Sequence, residues 1–111
     1  MLVDFDRLRS FTDGDRLLEA ELYALFVATA EGYLDTLEAS LDRADAWQAT
    51  AHGLKGAASN IGARAMAEAA AAAEHAPPDA ARLLALRSIF STTRLSLESS
   101  LDPAPDGFAR H

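Results

Sequence analysis

The spacing of apolar and polar residues predicts helices along the whole chain. Apolar positions recur three and four residues apart, the period of an amphipathic helix, and no segment alternates long enough to predict a strand. The pattern predicts five helices, over residues 4–11, 15–41, 45–61, 63–76 and 79–101. Four long helices joined by short turns predict an all-α fold, an antiparallel up-down-up-down four-helix bundle with a short extra N-terminal helix.

Aspartate, glycine and proline mark the predicted helix ends. Asp4, Asp45 and Asp79 each stand where a capping side chain is expected. Gly62 ends the third helix, and Pro77–Pro78 end the fourth. We therefore expect residues 1–101 to form the bundle and residues 102–111, which contain two prolines and a glycine, to be a disordered C-terminal tail.

The second, third and fifth helices each carry an apolar stripe that predicts a core face. The stripe of the fifth helix contains Leu83, Leu86, Phe90, Thr93, Leu97 and Leu101. The stripe of the second helix contains Leu18, Leu22, Leu25, Phe26, Thr29, Tyr33, Leu37 and Leu41, with Glu19 off it. At about 100° per residue, the apolar positions of the third helix fall within an arc of about 100°. These positions are Trp47, Thr50, Ala51, Leu54, Ala58 and Ile61. His52 lies about 140° from the centre of that arc, so it is predicted to be on the surface.

Composition and charge narrow the class of protein. The chain has 111 residues and a formal net charge of −7, and it has no basic stripe. This charge argues against nucleic acid or an anionic membrane as a partner. The absence of cysteine excludes disulfides and thiolate metal sites, and no segment has the apolar length of a membrane span. We expect a cytoplasmic monomer, and the abundance of alanine and arginine suggests a bacterial source.

The residues around His52 suit a histidine that carries a phosphoryl group. Lys55, the only lysine of the chain, and Gly56 follow it by three and four residues and so share its face of the helix. The lysine offers positive charge, and the glycine leaves the ring uncrowded. Gly53 and Gly56 together cost on the order of 2 kcal/mol of helix propensity, and such a local conflict often marks a functional site. The competing interpretation is a solvated surface histidine.

The segment around His52 also resembles a known signature. It is similar to that of histidine-containing phosphotransfer (HPt) domains, which reads roughly A-H-x-L-K-G-[SA]-[SA]-x-x-[LI]-G-[AL]. The matching residues are Ala51-His52-Gly53-Leu54-Lys55-Gly56-Ala57-Ala58-Ser59-Asn60-Ile61-Gly62-Ala63. The predicted order of helices resembles that of the family over residues 3–101.

The resemblance implies a role for each residue of the site. It implies that His52 is the phosphoacceptor through Nε2, that Lys55 stabilises the phosphoryl oxygens and that Gly56 leaves access for a partner. It also implies that Glu74, 22 residues after the histidine, accepts a hydrogen bond from Nδ1. Three further residues are weaker candidates for lining the site or its docking surface: Gln48, Ser59 and Arg64.

The resemblance further implies the partners. These are receiver domains of response regulators or hybrid histidine kinases, which supply the Mg²⁺, so the protein needs no cofactor of its own. It is then a phosphoprotein, a carrier in a two-component multistep phosphorelay and not a stand-alone enzyme, with no ATP-dependent kinase activity. The alternative is a binding module that docks or sequesters a receiver without transfer. A helical phosphatase, with Gln48 orienting water, has the least support.

Overall fold

The computed structural model describes residues 2–101 and contains five helices in that range. Their bounds are α1 Phe5–Thr12, α2 Arg16–Ala39, α3 Ala44–Asn60, α4 Arg64–Glu74 and α5 Ala80–Leu101. All five predicted helices are therefore present, with ends within two residues of the predicted ones. The proposed C-terminal tail, residues 102–111, lies outside the described residues.

The long helices form the predicted antiparallel up-down-up-down bundle. Helix α2 contacts α3 and α5, and α4 contacts the same two helices, so the four surround one core. The short α1 packs on α2. The all-α fold class with a short N-terminal helix is confirmed.

Aspartate side chains cap three of the helices. Asp4 accepts a hydrogen bond from the Arg7 N–H at 3.1 Å, and Asp15 accepts one from the Leu18 N–H at 3.1 Å. Asp79 does the same for the Ala81 N–H at 3.1 Å. The predicted cap of α3 was wrong, because Asp45 lies inside the first turn of that helix. It still favours the helix there, since a negative charge in the first turn complements the helix dipole.

The core faces of α3 and α5 follow the predicted pattern. Four of the predicted core positions in α3 are fully buried: Trp47, Ala51, Leu54 and Ala58. In α5 the buried residues are Leu83, Leu86, Phe90, Thr93 and Leu97. In both helices the spacing of large and small apolar residues indicated the buried side correctly.

The predicted face of α2 was partly wrong. Its buried residues are Glu19, Tyr23, Phe26, Ala30, Leu34 and Leu37. Leu18 and Leu41 are exposed, and Leu25 is exposed over 64% of its surface. Glu19, which was expected off the core, is buried because its carboxylate accepts a hydrogen bond from the Thr12 hydroxyl at 3.0 Å. One carboxylate therefore joins α1 to α2, while several leucines of α2 remain outside the core.

The turn between α3 and α4 is fixed by the start of the chain. The Asp4 N–H donates to the Gly62 carbonyl at 2.7 Å. Gly62 has a φ of +79°, and a Cβ on it would lie 2.7 Å from the Asp4 carbonyl oxygen. Only glycine fits both the left-handed backbone and this close approach. The two helices that carry the candidate site are thereby held at one end.

Among residues 2–101, no helix combines the length and apolar character needed to cross a bilayer.

Candidate functional site

His52 stands on the outer surface of α3, as its position in the pattern predicted. Its side chain is 66% exposed, whereas Ala51, just before it, and Leu54, two residues after it, are fully buried. An imidazole in this position is accessible to a large partner. The surface placement of His52 is confirmed.

Glu74 connects His52 to Lys55. Its Oε2 lies 2.9 Å from His52 Nδ1, and its Oε1 lies 3.1 Å from Lys55 Nζ. The Glu74 side chain is only 12% exposed, and it reaches α3 from the last residue of α4. The structure thus brings together three charged or titratable residues that the sequence singled out, His52 and Lys55 from α3 and Glu74 from α4.

This contact determines which imidazole nitrogen carries the proton. The ion pair with Lys55, followed by the hydrogen bond with His52, lowers the pKa of the Glu74 carboxyl below its ordinary value, so the group is ionised at neutral pH. An ionised carboxylate only accepts hydrogen bonds, so Nδ1 must be the donor. In the neutral ring, Nε2 is then left with a free lone pair.

The two glycines of the motif have different surroundings. A Cβ on Gly56 would have no atom within 4 Å, so the space beside His52 is open. A Cβ on Gly53 would lie 2.7 Å from Cε1 of Tyr33, an aromatic residue of α2. Gly53 therefore allows close packing of α2 on α3, whereas Gly56 leaves a gap at the surface that nothing in residues 2–101 fills.

Two of the weaker candidates, Ser59 and Arg64, line a different part of the surface from His52. Ser59 lies two turns along α3, and with Arg64 it lines a polar cleft that also contains Asp4, Arg7 and Glu68. The Ser59 carbonyl accepts a hydrogen bond from Arg7 Nε at 3.2 Å. Gln48 is exposed one turn before His52. Within residues 2–101, no group of three or more histidine, aspartate or glutamate residues is arranged to hold a metal ion.

The comparison with known protein families agrees with this geometry. The model of the Hpt domain matches residues 21–102, which is most of the chain. This chain belongs to the Hpt domain family. Hpt domains act in histidine phosphotransfer within phosphorelays and work with receiver domains. No match was found among curated proteins or among solved structures.

The Hpt bundle also has an apolar surface that sequence analysis missed. One groove, of about 270 Å³, lies between α2 and the end of α3. It is lined by Leu22, Leu25 and Thr29 of α2, by Ala57 of α3 and by Ile61, which directly follows α3. A second groove, of about 440 Å³, continues from it toward α1 and is lined by Leu8, Phe11, Leu18, Leu22, Asn60 and Ile61. We call this the α1–α2 apolar surface. Three of its leucines, Leu18, Leu22 and Leu25, were predicted to belong to the core stripe of α2.

Proposed function

We propose that this protein is a phosphocarrier in which His52 exchanges a phosphoryl group with receiver-domain aspartates. The observation that carries the proposal is the hydrogen bond from His52 Nδ1 to Glu74, which leaves Nε2 as an exposed nucleophile. A merely solvated histidine has no need of a nearly buried carboxylate in contact with it. The match to the Hpt domain family gives independent support.

The transfer step follows from the protonation state of the ring. The Nε2 lone pair attacks the phosphorus of an aspartyl phosphate, an N–P bond forms, and the P–O bond to the aspartate breaks. The electron pair of that bond leaves with the aspartate carboxylate. The proton stays on Nδ1, so the phosphorylated ring is a cation and its charge faces the Glu74 carboxylate at 2.9 Å. The reverse reaction delivers the phosphoryl group to a second receiver.

Lys55 and Gly56 assist this step in different ways. The Lys55 ammonium, held 3.1 Å from Glu74, lies on the His52 face, where it stabilises the phosphoryl oxygens. Gly56 keeps open the path along which the receiver brings its aspartyl phosphate. In this proposal the receiver supplies the Mg²⁺ that neutralises charge on the phosphoryl group, and the carrier contributes the nucleophile, one cation and the docking surface.

The α1–α2 apolar surface is the part of the molecule that we assign to receiver docking. It begins at Ala57, next to Gly56, and runs away from His52 along α2 toward Phe11, which is 57% exposed. No charged side chain lines either groove. An exposed apolar patch continuous with a reactive group is typical of a surface that binds another protein.

The test is phosphoryl transfer from a phosphorylated receiver to the full chain. Wild-type protein should acquire an acid-labile phosphohistidine, and His52→Gln should abolish labelling while the helical circular dichroism is unchanged. His75→Gln is the matched control, since His75 is also exposed and adjoins Glu74, and it should be labelled like wild type. Undiminished labelling of His52→Gln would reject the assignment. Binding of receivers without any labelling of wild type would favour the non-transferring binding module instead.

A further inference from the structure

The C-terminal end of helix α4 carries a charge that opposes the helix dipole. Glu74 is its last residue, and no basic side chain is present in its last turn. The last carbonyl groups of a helix have no donors from the helix itself, and a negative charge at this end is opposed by the helix dipole. Pro77 and Pro78 follow closely and prevent continuation. Taken alone, this end would fray, yet it carries the carboxylate that contacts His52.

Trp47 supplies a buried side-chain donor to this helix end. Its indole Nε1–H donates to the Ala73 carbonyl oxygen at 2.9 Å, across 26 residues of sequence. The Trp47 side chain is fully buried, so this hydrogen bond is shielded from water. The same carbonyl accepts a second, longer hydrogen bond from the Ala76 N–H at 3.2 Å. The peptide group just before Glu74 is thereby tied to the interior of the bundle.

Trp47 and His52 belong to the same helix, five residues apart. Helix α3 therefore presents the imidazole on its outer face and holds the end of α4 from its inner face. We propose that Trp47 is a positioning residue for His52, because its indole N–H fixes the last turn of α4 and keeps Glu74 in contact with Nδ1. The consequence for phosphotransfer rests on the function proposed above, but the consequence for the imidazole ring does not.

A core role alone and a positioning role require different things of Trp47. A core role needs only a large aromatic ring, which phenylalanine partly replaces. A positioning role needs the N–H group, whose loss leaves the Ala73 carbonyl with backbone donors alone and loosens the last turn of α4, so that Lys55 becomes the main contact that holds Glu74. Movement of Glu74 removes the reason for His52 to keep its proton on Nδ1.

The experiment measures the tautomer of the His52 ring by ¹⁵N NMR in the unphosphorylated protein. Wild type should hold the Nδ1–H tautomer, and Trp47→Phe should shift the ring toward the Nε2–H form. Phe90→Leu is the control for loss of core volume, since Phe90 is buried in α5, which does not contact α3, and it should leave the tautomer unchanged. If Trp47→Phe unfolds, replacing Trp47 with 3-benzothienylalanine removes the N–H and keeps the ring volume.

A second measurement connects the tautomer to transfer. Trp47→Phe should slow labelling from a phosphorylated receiver by about five- to tenfold, the equivalent of one lost hydrogen bond. In a Glu74→Ala background it should have no further effect, because the residue through which it acts is gone. An unchanged tautomer in folded Trp47→Phe, or an equal change in Phe90→Leu, would overturn the inference. If wild-type protein takes no label but Trp47→Phe still shifts the tautomer, the proposed function is refuted and this inference stands.

Discussion

The two flanks of α3 differ in almost every physical respect. Toward α4 the contacts are ionic and short, since Glu74 lies within about 3 Å of both His52 and Lys55. Toward α2 they are apolar: Tyr33 packs on Gly53, and farther along the helix the α1–α2 apolar surface stands open. The polar flank holds the reactive ring, whereas the apolar flank packs α2 on α3 at Gly53 and offers an open surface farther along. One helix thus separates the chemistry from the surface that brings a partner to it.

Gly56 lies between these flanks, and filling it should have the largest effect. In Gly56→Leu the new Cβ has no atom within 4 Å and leucine favours the helix, so the bundle should fold with unchanged or higher stability. The added leucine blocks the approach to His52, and we expect transfer from a phosphorylated receiver to fall by about a hundredfold or more, because small displacements of reacting groups are this costly. Labelling rates and thermal unfolding of the same sample provide the measurement.

The matched control for Gly56→Leu is Ala85→Leu, which adds a leucine at an exposed position of α5. That helix contacts α2 and α4 but not α3. The control should transfer like wild type. Normal transfer in folded Gly56→Leu would show that the gap beside His52 is not used by the partner.

A charge on the apolar flank should have the next largest effect. Leu25→Asp replaces a leucine that is 64% exposed on the α1–α2 apolar surface. Burying one leucine contributes about 1.5–3 kcal/mol, so receiver binding should weaken by about ten- to a hundredfold. The loss should appear in the receiver concentration needed for half-maximal transfer, while the rate at saturation should be retained.

Leu95→Asp is the matched control for Leu25→Asp. Leu95 is 60% exposed, but it lies on α5, away from both flanks of α3. It should leave receiver binding unchanged. If both variants weaken binding equally, the effect comes from added negative charge and not from the α1–α2 apolar surface.

The sequence predicted α3 and α5 more accurately than α2, and the reason is physical. In α3 and α5 one apolar stripe faces one core. Helix α2 has two apolar stripes. One is buried and includes the small Ala30, and the other is exposed and includes Leu18 and Leu25. A leucine that awaits a partner and a leucine that fills a core look the same in a periodic pattern. The predicted stripe mixed the two, because it included Leu18 and Leu25 and left out the buried Tyr23, Ala30 and Leu34.

The sequence likewise predicted some parts of the candidate site and not others. Periodicity alone placed His52 on the surface with Lys55 and Gly56, because all three are on one helix. Glu74 is on another helix, and only the resemblance to the HPt signature pointed to it. The hydrogen bond from Trp47 to Ala73 had no sequence signal, because a backbone carbonyl is present at every position. The two motif glycines likewise looked equivalent until Tyr33 was located.

The smallest predicted effect is a difference in the free energy of unfolding between alanine variants of Gly53 and Gly56. Gly56→Ala should raise the free energy of unfolding by up to about 1 kcal/mol, since alanine favours the helix and meets nothing. Gly53→Ala gains the same propensity but sets a methyl group 2.7 Å from the Tyr33 ring, so it should fall short of Gly56→Ala by about 1 kcal/mol or more. Denaturant unfolding measures both. In a Tyr33→Ala background the two alanine variants should have the same free energy of unfolding. If Gly53→Ala stabilises as much as Gly56→Ala with Tyr33 present, α2 does not pack tightly on α3 at Gly53, and the contrast between the apolar flank and the Glu74 flank is lost.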